Sequence, residues 1–132
     1  MYPNVYKIAS DSPAVTALLG TPPRFYLAGH AKQNTVRPYA TWQVVYGNPD
    51  NSLSCVPSED LYGVQIDTWG GKVGGNPSDG ASIARQVAVA LRDAFEATYN
   101  HMTAHNGEDW EPATGLYRVS MTFEFWTVRP SS

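Results

Sequence analysis

Between Leu116 and Val128 every second residue is apolar: Tyr117, Val119, Met121, Phe123 and Phe125 face one way, and Arg118, Ser120, Thr122, Glu124 and Trp126 the other. This is the period of a strand with one buried face, and a slip of one residue would expose the whole apolar set, so its register is firmly set. Such a strand needs a covering layer. The stretch from the candidate N-caps Ser78 and Asp79 to Tyr99 supplies one: Ile83, Ala84, Val87, Ala88, Leu91, Ala94 and Phe95 form a single helical stripe, with Ser82, Arg85, Gln86, Arg92, Asp93 and Glu96 mostly opposite.

The other elements follow the same two periods. Val5, Ile8 and Ala9, then Val15, Leu18 and Leu19, recur at helical spacing and predict two short helices. Ser12 as N-cap, Pro13 at the first helical position and Gly20 as a left-handed stop punctuate the second. Arg24 to Ala28 reads as a short strand. Tyr39 to Tyr46 reads as a longer one, with Ala40, Trp42, Val44 and Tyr46 on one face. Gly47 to Asp60 is rich in turn formers and reads as a long exposed loop. Leu61 to Trp69 alternates again, placing Tyr62, Val64 and Ile66 opposite Gln65 and Asp67. His101 to His105 reads as a weak strand and Asn106 to Gly115 as a polar connection. Together these predict an α+β fold: a largely antiparallel sheet of four to five strands packed against one long helix, with two short N-terminal helices. Strand order is not encoded in these local patterns.

A chain of 132 residues fits one domain, spanning 1–132, with a core large enough to need neither disulfide nor structural metal. The net charge of −3 and the absence of a basic cluster argue against tight nonspecific nucleic-acid binding. Apolar runs such as Val87 to Leu91 fall far short of the ~20 residues of a spanning helix, and the first residues lack the pattern of a signal peptide. The expectation is a soluble chain that makes no membrane contact. Cys55 is the only cysteine, which excludes an intrachain disulfide and suits assembly in a reducing cytoplasm.

Candidate chemistry is thin. In the Gly-rich stretch before the long helix, Lys72 is followed by Val73, not Ser or Thr, and GxGxxG is absent, so neither phosphate-loop pattern is met. His101 and His105, with Glu108, Asp109 and Glu111 behind them, are metal-ligand residue types. On an extended segment, however, the two imidazoles would share a face about 13 Å apart. Cys55 lacks a partner at a diagnostic spacing, and the three acids lie in a turn-rich stretch where solvated charge is the rule. No catalytic set, cofactor or metal is predicted. Trp126 and Trp69 fall on faces opposite the core stripe, where either a contact surface with another chain or a covering terminal helix would explain them.

The segments DSPAVTALLG, RPYATWQVV, YGVQIDTWG, ASIARQVAVALRDAFE and TGLYRVSMTFEFWTVR, in this order, resemble the tail terminator (tail completion) proteins of long-tailed phages, a family also seen in phage-derived gene transfer particles. The resemblance spans nearly the whole chain and rests on core positions and turns. It implies a structural, non-enzymatic role in the virion, at the head-proximal end of the tail, after assembly in the host cytoplasm. Such proteins form a ring, expected to be a hexamer, that stops polymerisation of the major tail tube protein and offers a docking surface to the head–tail connector or stopper protein. DNA would pass through the lumen without specific binding, and mild acidity suits that passage.

A closed ring needs two different patches on each subunit. By position, the tail-tube contact is expected in the loop carrying Asn48, Asp50, Leu53, Cys55, Glu59 and Asp60, and the subunit interface at Arg118, Glu124 and Trp126. Two alternatives stand beside this reading: another head–tail joining or neck protein of related fold, and a small metal-dependent hydrolase built on His101 and His105.

Overall fold

The C-terminal alternating segment becomes β5 (Leu116–Val128), a central strand in a five-stranded sheet. The computed structural model describes residues 2–31, 37–49, 59–71, 77–112 and 115–128. In chain order the other elements are α1 (Val5–Ser10), α2 (Pro13–Leu19), β1 (Phe25–Leu27), β2 (Tyr39–Pro49), β3 (Glu59–Gly70), α3 (Pro77–Glu96) and β4 (His101–Glu111). The sheet order is β1-β2-β3-β5-β4, with β1 parallel to β2 and every other pair antiparallel. The expected α+β layer is therefore formed, with five strands.

Among the described residues, helices cover one face only. Val64, Ile66, Val119, Met121, Phe123 and Phe125 of the sheet are buried against Ala84, Val87, Leu91 and Phe95 of α3. Val5, Ala9, Val15 and Leu19 of the two short helices join the same core. The punctuation read for α2 is present: the Val15 N–H donates to Ser12 Oγ at 3.4 Å, Pro13 opens the helix, and Gly20 follows at φ +89°. Arg24 then ties the helix end to the start of β2, donating from its guanidinium to Leu18 O at 3.3 Å and to Pro38 O at 2.9 Å. These bonds satisfy a carbonyl that a helix C-terminus leaves free.

Three expectations are corrected. First, Val44 pairs with Val64 but Tyr46 pairs with Gly63, so Val45 is the extra residue of a bulge and Tyr46 turns to the face opposite Ala40 and Trp42. Second, the two ends of the expected Gly47–Asp60 loop are strand: Asn48 pairs with Leu61, Pro49 with Asp60, and Glu59 with Val128. Cross-strand pairing thus overrides the turn-forming character of these residues. Third, β4 does not stop at His105 but runs to Glu111, so Glu108, Asp109 and Glu111 are strand residues, not part of a connection. An edge strand tolerates polar residues on both faces, which is why the segment resembles a loop in sequence.

Candidate contact surfaces

The sheet face away from the helices carries no covering element among the described residues, and strand pairing orders it in rows. The first row crosses four strands: Tyr39, Trp69, Arg118 and Asp109 are successive register partners. Tyr39 stacks on Trp69 with centroids 6.0 Å apart, Arg118 places its guanidinium 5.8 Å from the Trp69 centroid, and Arg118 Nη2 meets Asp109 Oδ2 at 2.6 Å. Such cross-strand pairs stabilise a sheet one row at a time. Burial pushes the Tyr39 hydroxyl above its ordinary range, against the lowering influence of Arg37.

The middle rows are polar, with Thr41, Asp67 and Ser120 in one and Gln43, Gln65 and Thr122 in the next. Asn106 reaches in from β4 and donates to Thr122 Oγ1 at 2.8 Å and Ser120 Oγ at 3.3 Å. Beyond them Tyr46 lies across Gly63, its ring occupying the place of the missing side chain, and donates from its hydroxyl to Glu124 Oε2 at 3.4 Å. The last row holds Asn48, Leu61 and Trp126, and Trp126 is 51% exposed.

The helix side has a different character. A cavity of about 230 Å³ between α3 and β4 is floored by Met102, Val119 and Met121 and rimmed by Arg85, His105 and Glu108. Arg85 Nε donates to Glu108 Oε1 at 2.7 Å, and His105 Nε2 lies 3.8 Å from Glu108 Oε2. The hydrogen bond from Arg85 holds the Glu108 carboxyl below the usual carboxylate range, and hydrogen bonding to Glu108 raises the Tyr117 hydroxyl. The pair sits at the surface and acts as a clasp between α3 and the edge strand.

The sequence-derived candidates divide on this map. Arg118, Glu124 and Trp126 share the uncovered face as the alternation implies, although Arg118 and Glu124 are engaged by neighbours and only Trp126 stands free of the sheet. Asn48 is exposed at the end of β2, Glu59 is half-buried, and Asp60 is 8% exposed. Asp50, Leu53 and Cys55 lie outside the described residues. His101 pairs with Glu124 and His105 with Met121, so the bulge at Thr103 sends the two imidazoles to opposite faces of the sheet, not to one. That placement gives them no common metal.

Sequence reasoning misses Val44, Val45 and Tyr46, which are 37%, 44% and 40% exposed on a strand whose alternation assigns its apolar residues to the core. The signal for them is the doubled valine in QVVY, where strict alternation breaks.

The model of the family described as tail completion protein gp17 matches residues 3–128. Among solved structures, a chain from the virion of a native gene transfer agent particle has a similar fold, with a TM-score of 0.65 at 14% identity over 91% of this chain and 88% of that one. No curated protein matches the sequence.

Proposed function

The chain belongs to the tail completion protein gp17 family, structural proteins of the virion tail, and from that premise we propose that it closes into a ring, a hexamer, at the head-proximal end of the tail tube. The ring ends polymerisation of the tube protein and presents its other surface to the head–tail connector or stopper, while DNA passes through the lumen without being held. The family match over nearly the whole chain carries this reading. The uncovered sheet face supports it, because Trp126 stands exposed there with no covering helix among the described residues. Large aromatics outside a core contribute contact area at low entropic cost.

In this reading the 1–132 chain acts as one domain, the connection between β2 and β3, with Asn48 and Glu59 at its base, touches the tube, and the Arg118, Glu124 and Trp126 face meets a neighbouring subunit. Deleting Asp50 to Pro57 should leave a folded protein that no longer caps tubes. Electron microscopy of tails assembled with that variant should show overlong tubes, and normal lengths would remove the assignment. Trp126→Ala alters a half-exposed site, so subunit stability should move by no more than about 0.5 kcal/mol. The ring should nonetheless dissociate at a higher protein concentration than the parent's in light scattering, and an unchanged oligomer would take Trp126 out of the interface.

A further inference from the structure

We infer that the free edge of β2, from Gln43 onward, pairs antiparallel with the first residues of β4, His101–Ala104, in a second copy of this chain, joining the sheets around the proposed ring. The inference rests on the ring reading and adds a strand-edge contact to the face contact proposed for Trp126. Ala40 N–H donates to Arg24 O at 2.9 Å and Ala28 N–H donates to Trp42 O at 2.8 Å, so even-numbered residues of β2 turn their main chain toward β1. Alternation places the N–H and C=O of Val44 on that same edge, one step past Leu27, where β1 ends. Among the described residues no backbone hydrogen bond reaches the edge beyond Trp42.

Free edges are templates for another strand, and proteins blunt them with charge when they must stay unpaired. Gln43 to Pro49 contains no charged residue, and it exposes Val44, Val45 and Tyr46. Among the described residues the opposite end of the same sheet is also free: β4 has a neighbour there only on its β5 side. Two unlike edges on one sheet are what a head-to-tail ring consumes.

Direction and level agree. Rotation about an axis along the strands preserves strand direction, and β4 runs opposite to β2, so the neighbour's β4 arrives antiparallel, the more stable ladder. The same rotation preserves level: Tyr46, Gly63, Glu124 and His101 form one row, and Gln43, Gln65, Thr122 and Ala104 another. Trp42, which pairs with Leu27 at the end of β1, stands level with His105. The two bulges of β4, at Thr103 and Asn106, flank His105, where an incoming strand must step around β1.

The test joins two kinds of variant. Val44→Pro removes the outward N–H without breaking a bond inside the subunit, and Val45→Lys adds an edge charge. Both should give folded subunits by circular dichroism whose assembly, by native mass spectrometry, is at least tenfold weaker than the parent's. Val44→Cys with Met102→Cys, in a Cys55→Ser background, places the two thiols about 14 Å apart within one copy, too far for a disulfide. Oxidation should yield a ladder of covalent multimers on a non-reducing gel. A parent ring with no ladder, and with both edge variants assembling normally, overturns the edge pairing and leaves the ring standing. A parent that stays monomeric alone and on tail tubes overturns the ring reading and this inference with it.

Discussion

Phe95→Ala should lower the unfolding free energy by about 3–5 kcal/mol, the largest loss expected from any single truncation in the core. Phe95 is fully buried near the C-terminal end of α3 and meets Phe123 and Phe125 of β5 edge-on, with centroids 5.1 and 5.2 Å away and interplanar angles of 69° and 74°. One side chain thus holds the helix to β5, an interior strand, through two aromatic pairs, each worth about 0.5–1.5 kcal/mol beyond the area it buries. Truncation to Ala forfeits both and leaves a cavity that neither the long helix nor the doubly flanked strand can move to fill.

A domain of this size has about 5–15 kcal/mol of stability in total, so the variant should unfold at markedly lower temperature and denaturant concentration. Phe95→Leu retains most of the apolar volume but no ring, and should fall between the two. Urea titration of the three proteins checks the order. Equal midpoints for Phe95→Ala and the parent would mean that α3 is not fastened to β5 through this residue.

The residues of that contact are legible in the sequence because helix stripe and strand alternation are local patterns. Phe95 lies on the one and Phe123 and Phe125 on the other, and both predict the same buried layer. Legibility fails at the bulges. One inserted residue at Val45 reverses the face of everything after it, so Tyr46 leaves the apolar row and crosses to Glu124. The bulge at Thr103 in β4 parts His101 from His105 in the same way.

Nonlocal pairing is the other blind spot. No property of GNP or of Glu59 and Asp60 announces that these residues extend a hairpin, and the Tyr39, Trp69, Arg118 and Asp109 row exists only once four strands are in register. For the contact surfaces, the outward direction of Arg118, Glu124 and Trp126 follows from alternation alone. Which of them is free for a partner does not, since Asp109 and Tyr46 reach Arg118 and Glu124 from other strands.

Gly70→Val should be comparably damaging for the opposite reason, since it adds atoms where the helix and sheet already touch. Gly70 ends β3 on the covered face, against Gly80, Ile83 and Ala84 in the first two turns of α3. A Cβ there would run into Ile83 Cγ2, and it would lie 2.5 Å from Gly80 O and 2.9 Å from Ala84 N. Two of these three neighbours are backbone, so relief requires moving the helix. That helix is pinned nearby: Thr68 Oγ1, completely buried, donates to Ala84 O at 2.9 Å. Displacing Ala84 would stretch this bond and leave a buried hydroxyl and carbonyl poorly paired, adding to the overpacking cost of about 1–3 kcal/mol.

Gly70→Ala should show the smaller part of the loss and Gly70→Val the larger, with melting temperature falling in that order. The second change, Thr68→Val, separates the two causes. It removes the hydroxyl, so in that background the Gly70 substitutions should lose the hydrogen-bond component and retain only the steric one. Strict additivity of the Thr68 and Gly70 substitutions in a double-mutant cycle would show that α3 does not move, and that the sheet end yields instead.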